Sequence, residues 1–341
     1  MNAGTVPATM RAVRLNEVGP PENLKVVDIR VPEVGPDDVL IKTSLSGLLY
    51  ADTAIRRGIY FTPTQLPYVP GRDVAGTVAA VGANVTDYSV GDRVMALIVE
   101  GGCCAEYVLA SCCPTLRDGQ EIFPADIVKL PHETAFADAL PYLINFRLAH
   151  LLFHSSSKVP DGSTVLIHGA SGGMGSMLTQ LARAAHCTII ATCRTESEEA
   201  FCHRLGADSV IRVGENDYVA RVMELTSHKG VHFSFNGVGG ESLNRDVDVV
   251  MPFGEIQAYG YVGGKTKFDT FRIAKSLALK TFAVEDFLGT PMMEAATAAM
   301  FDWLRNGVLI AADPILPFEK VAEAHQLLEE GTVFGKIALA P

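Results

Sequence analysis

The stretch STVLIHGASGGMGSMLTQLARAAH, residues 163–186, carries three signals in succession. TVLI is a short apolar run of the kind buried in a parallel sheet, HGASGGMG is a glycine-rich turn, and GGMGSMLTQLARAAH places apolar residues at helical spacing. Glycines between strand and helix let the backbone approach a ligand with no Cβ in the way, and the first N–H groups of the helix attract an anion. Strand before and helix after distinguish a pyrophosphate-binding turn from an ordinary glycine-rich connection. The pattern assigns Ser171, Gly172, Gly173, Met174 and Gly175 to the phosphates of a dinucleotide.

Downstream, strands and helices alternate. CTIIATCR reads as a strand, SEEAFCHRLGA as a helix, DSVIRV as a strand, YVARVMELT as a helix, and HFSFNGVG and GEIQAYGY as further strands. Such alternation specifies an α/β unit, a Rossmann doubly wound parallel sheet. In that arrangement an acid at the tip of the second strand binds the ribose 2′-OH of NAD. Here the strand ends in Cys193, Arg194 and Thr195 with no acid at its tip, and the planar fork of Arg194 suits a 2′-phosphate. Arg212, ending the third strand, supplies a second cation. The reading favours NADPH, with Glu196, Glu198 and Glu199 as competing surface partners for Arg194.

Upstream, short β-rich segments punctuated by Gly and Pro (MRAVRLNE, ENLKVVDI, DVLIKTSLSG, VAGTVAAVG, GDRVMAL) suggest a compact β-barrel. The texture turns helical near Ala135, in FADALPYLINFRLAHLLFH. The C-terminal end reads as a helix, MMEAATAAMFDWLRNG, capped by Gly307, then FEKVAEAHQLLEEG and a last strand, KIALAP. Two domains are expected: residues 136–285 for the dinucleotide, and residues 1–135 with 286–341 for the rest.

The chain has 341 residues, 28 basic and 39 acidic, and a formal net charge of −11. No basic block tracks a phosphate backbone, which argues against nucleic acid and anionic membranes as partners. No run of about 18 apolar residues occurs, and the N-terminal residues lack the apolar core of a signal peptide, so a cytoplasmic protein is expected. The odd number of cysteines, seven, without a C-x-x-C spacing, suits free thiols in a reducing compartment.

Two decoys are set aside. His150 and His154 stand four apart on an expected helix, but no third ligand is evident and no metal is assigned. Tyr261 and Lys265 form a Tyr-x-x-x-Lys across GYVGGK, where two glycines argue for a loop. Trp303 sits among apolar residues at helical spacing and reads as core or interface.

Several segments in order, SGLLYADTAIRRGIY, LPYVPGRDVAGTVAAVG, VGDRVMAL, GGCCAEYVLA, LPYLINFRLAHLL, VLIHGASGGMG, FEKVAEAHQLLEEG and GKIALAP, resemble the quinone oxidoreductase and ζ-crystallin branch of the medium-chain dehydrogenase/reductase superfamily. The resemblance covers nearly the whole chain. It implies a GroES-like β-barrel domain beside the Rossmann domain. It also implies that the zinc ligands of the related alcohol dehydrogenases fall at Leu49, Arg72 and the segment around Pro141 and Tyr142, none of which binds zinc. The four-cysteine structural-zinc lobe is missing too.

By the same resemblance the nicotinamide is met by the SGLLYAD loop, by Asn236 and Val238, by Gly260 and Tyr261, and by Phe282 to Val284. Phe334, Gly335 and Lys336 close over the cofactor. Tyr50 is implied as a phenol donor to a developing oxyanion, with packing as its alternative. Asp52 is implied as an orienting group, with a structural role favoured. Leu49 and Ile144 stand where the family often has Asn and Thr facing the nicotinamide, which makes the pocket more apolar.

The implied activity is zinc-independent, NADPH-dependent reduction of a quinone or an α,β-unsaturated carbonyl. The alternatives are an enoyl-thioester reductase and a non-catalytic, ζ-crystallin-like NADPH-binding protein. Homodimers through the Rossmann sheet are common in the family, and TKFDTFRIAKSLALKTFAVEDF offers apolar alternation for that contact. Extra residues in TLRDGQEIFPAD are expected to form an enlarged surface loop near the cleft.

Overall fold

The computed structural model describes residues 6–117, 120–215, 217–268, 271, 273, 275–306 and 310–341. The chain divides into two compact units, Met1–Ile144 with Phe301–Pro341, and Asn145–Met300.

The first unit opens with β1 (Thr9–Leu15), β2 (Leu24–Arg30), β3 (Asp38–Leu48), α1 (Tyr50–Arg56), β4 (Asp73–Val81), β5 (Arg93–Leu97) and β6 (Tyr107–Ser111). The short strands β7 (Thr115–Arg117), β8 (Gln120–Ile122) and β9 (Asp126–Lys129) follow, and then α2 (Phe136–Pro141). The helical path continues through a π turn at Tyr142–Phe146, α3 (Arg147–His150) and a second π turn at Leu151–Ser156. Pro141 explains the first widening: it has no N–H to donate inside the helix, and the next turn loosens.

The second unit contains β10 (Thr164–Ile167), α4 (Gly173–Ala184), β11 (Thr188–Cys193), α5 (Glu196–Leu205), β12 (Ser209–Arg212), α6 (Tyr218–Leu225), β13 (Val231–Asn236), α7 (Gly240–Val249), β14 (Val250–Ala258) and β15 (Ala278–Thr281), and the division between the units falls within α8 (Pro291–Asn306). The chain then returns to the first unit as β16 (Ala312–Pro317), α9 (Val321–Glu330) and β17 (Lys336–Ala340).

In the first unit the main sheet runs β16-β17-β3-β4-β5-β9, with β6 also on β3. Strand β3 is paired by β4, β6 and β17, which is why it is buried almost end to end rather than alternating. Apolar residues of β1, β2, β17 and α9, among them Val13, Leu24, Val321, Ile337 and Leu339, form one core, and β3, β4 and β5 form another through Ile41, Val74 and Val94. TLRDGQEIFPAD, expected as an enlarged loop, folds as the antiparallel hairpin β7–β8; Asp118 and Gly119 lie outside the described residues.

In the second unit six parallel strands run β12-β11-β10-β13-β14-β15. Counted from β10, this is the order 3-2-1-4-5-6 of the Rossmann fold, with its switch point between β10 and β13. Leu166, Ile190, Ile211, Val231 and Ile256 pack with Val222 of α6 and Val247 of α7 as the core of this sheet.

The expected strands and helices around the glycine turn are present. Helices α1 and α7 and strands β6, β9 and β16 were not anticipated, because they are short or open on glycines that read as loop. Gly307, expected as the cap of α8, and Asp269, Thr270, Arg272 and Ala274 of the expected dimer segment lie outside the described residues. GYVGGK is a turn, as its glycines imply, and all seven cysteines are unpaired. Among the described residues no helix is long and apolar enough to cross a membrane.

Candidate active site

In the second unit the glycine turn lies at the C-terminal end of β10, the crevice where open α/β sheets bind ligands. Gly172 caps α4 and donates its N–H to Gly169 O at 3.0 Å. Gly173 opens the helix, and Met174 is half-buried beside it. Gly175 packs so close that a Cβ would meet Gly169 O at 2.3 Å and Ala170 Cα at 2.7 Å, which only glycine allows without moving the backbone. Ser171 is buried, and its hydroxyl donates to Glu198 Oε1 at 3.1 Å.

That carboxylate corrects the reading of the strand tip as free of acid. Thr195 caps α5 in a reciprocal capping box with Glu198, which turns the Glu198 side chain back under the tip of β11. Glu198 Oε2 accepts the backbone N–H groups of Arg194 at 2.6 Å and Thr195 at 3.0 Å. Arg194 Nη2 lies 3.5 Å from Glu198 Oε1 with its side chain half-exposed. Arg212 is held by Glu199 at 3.3 Å and Glu215 at 3.1 Å. Both cations thus stand at strand ends, each already facing acid.

Beneath the turn lies a buried network that the sequence did not disclose. Asp246 of α7 is fully buried. Its Oδ1 accepts from Tyr218 Oη at 3.0 Å and lies 2.8 Å from His168 Nε2; its Oδ2 accepts from Ser234 Oγ at 2.8 Å and Asn236 Nδ2 at 2.7 Å. Asn236 Oδ1 in turn accepts the N–H groups of Val238 and Gly239 at 2.9 Å each. One carboxylate therefore fixes the residue opening the glycine turn and the loop after β13. Gly260 closes on that loop, where a Cβ would meet Gly237 O at 2.1 Å. Tyr261 follows, partly exposed. Phe282 stacks on Phe287 with centroids 5.0 Å apart, and Val284 packs with them on Leu151, Met293 and Ala296.

The first unit holds the other candidates. Leu49 caps α1 and donates its N–H to Asp52 Oδ2 at 2.8 Å, while Gly71 N–H donates to Asp52 Oδ1 at 3.1 Å. Asp52 is buried and stitches the start of α1 to the segment entering β4. Burial pushes its carboxyl above the ordinary value, and these two N–H groups pull the other way. Tyr50 opens α1 half-buried, and Ile144 is buried in the first π turn. Gly335 has φ +77°, Phe334 before it is half-buried, and Lys336 is buried with Nζ 2.8 Å from Asp73 Oδ2.

Arg72 donates from Nη1 to Tyr60 Oη at 2.9 Å. His150 and His154 have ring centroids 4.5 Å apart, and burial, aided by His154, lowers His150 to about 4, so it is neutral near pH 7. Among the described residues no three His, Cys, Asp or Glu side chains are grouped to hold a metal ion. Leu49, Arg72, Pro141 and Tyr142 offer zinc no Cys or His.

Residues 35–123 match the model of the alcohol dehydrogenase GroES-like domain, and residues 173–304 that of the zinc-binding dehydrogenase. Human quinone oxidoreductase is 32% identical, with 97% of each chain covered. A 2-haloacrylate reductase from a Burkholderia species is 28% identical over 97% of this chain and 98% of its own. A mycobacterial protein solved in complex with NADPH superposes with a TM-score of 0.87 at 30% identity, covering 97% of this chain and all of that one. With the glycine turn at the switch point of a 3-2-1-4-5-6 sheet and these full-length matches, the chain is an oxidoreductase belonging to the quinone oxidoreductase family of medium-chain dehydrogenases/reductases.

Proposed function

We propose that the chain is an NADPH-dependent reductase that delivers a hydride to a quinone or to the activated C=C bond of an α,β-unsaturated carbonyl, without zinc. The observation that carries this reading is the glycine turn held by Ser171–Glu198 and Asp246, with Arg194 and Arg212 at the strand ends where a 2′-phosphate is recognised. The turn fits the group: Gly175 lets the first turn of α4 close onto Gly169 and Ala170 at the end of β10, and the first N–H groups of the helix have no acceptor within it. When bound, NADPH supplies the hydride.

The chain's own residues hold and orient. The start of α4 receives the pyrophosphate. Asn236, locked by Asp246, presents the loop of Val238, and Gly260 and Tyr261 flank it. Leu49 and Ile144 make an apolar wall that excludes water, and Tyr50 offers a phenol to the oxygen on which charge develops. Asp52, with both oxygens committed to backbone N–H groups, positions α1 rather than reacting. Zinc is left out because the positions that would ligate it hold Leu, Arg, Pro and Tyr.

The split between quinone and alkene reduction leans on relatives named for each, quinone oxidoreductases and the 2-haloacrylate reductase. The edge strand β15 offers a two-fold continuation of the sheet, which supports the reading of a homodimer, and unpaired thiols suit the reducing cytoplasm we propose for it. Purified protein mixed with NADPH and a panel of quinones, enones and enals should oxidise the cofactor only when an acceptor is present. Tight NADPH binding without turnover on any of them would make it a binding protein instead.

A further inference from the structure

In the second unit a tyrosine stands where β14 ends, and its side chain serves no contact described so far. The backbone N–H of Tyr259 donates to Asn236 O at 3.0 Å, which carries the β13–β14 register one pair further and sets Tyr259 beside Gly237. Side chains alternate along a strand, so Tyr259 projects on the face of Phe235 and Gln257, opposite to Asn236 and Ala258, which face α7. A Cβ at Gly237 would lie 2.5 Å from Tyr259 Cε2 and 3.0 Å from its Oη. The ring therefore fills the place of a side chain at 237. It leans from β14 over the end of β13, toward the switch point between β13 and β10.

Deeper along the sheet this face is closed: Phe235 stacks on Phe153 with centroids 5.9 Å apart, and Gln257 Oε1 accepts from Ser156 Oγ at 2.7 Å. Tyr259 is the last residue of the row, half-buried. Its hydroxyl has no hydrogen-bond partner among the described residues. Tyr218 of the same unit differs, since its hydroxyl is met by Ser242 O at 2.8 Å and Asp246 Oδ1 at 3.0 Å. A tyrosine hydroxyl drawn out of water normally finds an acceptor, and leaving it without one is costly. Burial also pushes the Tyr259 phenol above its ordinary value, so it stays a protonated donor around neutral pH. In a sheet of this order the half from β10 to β12 takes the adenosine side of a dinucleotide, and the half that begins at β13 takes the nicotinamide side. The unused donor stands at the ligand-binding end of that second half.

We propose that the Tyr259 hydroxyl donates to an oxygen of the nicotinamide riboside half of NADPH, and that residue 237 is glycine so that the ring can take this seat. This rests on the reductase reading above. No bond is made or broken at the phenol; it holds the nicotinamide riboside against the strand ends.

The test is titration calorimetry of wild type, Tyr259→Phe and Gly237→Ala with two ligands: NADPH, and adenosine 2′,5′-bisphosphate, which keeps the 2′-phosphate and lacks the nicotinamide. Tyr259→Phe should weaken NADPH about fivefold, the scale of one net hydrogen bond, and leave adenosine 2′,5′-bisphosphate unchanged. Gly237→Ala, which drives the ring off its seat, should weaken NADPH at least as much, again sparing the bisphosphate. Because the hydroxyl has no partner inside the protein, ligand-free Tyr259→Phe should unfold in urea at the wild-type midpoint or slightly above it. Unchanged NADPH affinity in either variant, equal losses on the two ligands, or a lowered urea midpoint for Tyr259→Phe overturns the role of Tyr259 and leaves the reductase reading intact. A wild type that does not bind NADPH overturns both.

Discussion

In the second unit the buried Asp246 is surrounded by hydroxyl, amide and imidazole donors, which leave neither oxygen unused. In the first unit the buried carboxylate Asp73 faces a full cation, Lys336. The contrast follows from what each unit holds. A dinucleotide turn is built of backbone, so its support has to be rigid and satisfied within the protein. The first unit instead balances a buried charge against an opposite one, an arrangement that is costly to break from either side.

The largest effect that sharpens this contrast is expected at the ion pair. Replacing Lys336 by Met strands Asp73 as a lone buried charge and should cost about 3–5 kcal/mol of unfolding free energy in urea, whereas replacing Asp73 by Leu as well should recover much of it. A single variant as stable as wild type would show that the pair is not buried as described. Next comes Asp246→Asn, which turns an NH2 group toward donors that had met an oxygen. A loss of about 2 kcal/mol is expected, together with weaker dinucleotide binding, and unchanged affinity in a folded variant would remove Asp246 from the support of the turn.

His325 of α9 extends the comparison to pH. It is fully buried, neither ring nitrogen has a partner among the described residues, and burial, with Arg56 adding to it, lowers its pKa to about 3. The unfolded chain takes up a proton near pH 6.5 and the folded one does not, so stability is lost as pH falls below that value, at up to about 1.4 kcal/mol per unit. Wild type should therefore lose about 2 kcal/mol more than His325→Phe between pH 7 and pH 5 in urea titrations; parallel losses would contradict the burial. The smallest effect is expected at Arg194, half-exposed and shared with Glu198. Arg194→Ala should weaken NADPH binding about tenfold, on the scale of one charge-assisted contact, and leave NADH nearly unchanged. Equal effects on both cofactors would move the 2′-phosphate contact elsewhere.

The Rossmann half was legible because its information is local: TVLI, the glycines and the helix follow one another in a single stretch. Glu198 was read as a surface partner of Arg194, a pair the structure contains, but its burial under the strand tip was not legible, because a capping box carries its carboxylate back from the first turn of α5. Asp246 was missed because α7 opens on Gly239 and Gly240, at φ +71° and +57°, and reads as loop. Arg72 was recognised as a lost zinc ligand, but its partner Tyr60 stands twelve residues earlier in a loop, and no periodicity links the two. Long-range polar pairing leaves little trace in a single sequence, whereas hydrophobic spacing does.

The central claim, direct hydride transfer without metal, is tested most directly by reducing an enone with NADPH deuterated at the transferring position, using protein freed of metal by a chelator. The account predicts one deuterium on the carbon β to the carbonyl and a rate that added zinc does not raise. An unlabelled product, or activity that returns only with zinc, would contradict it.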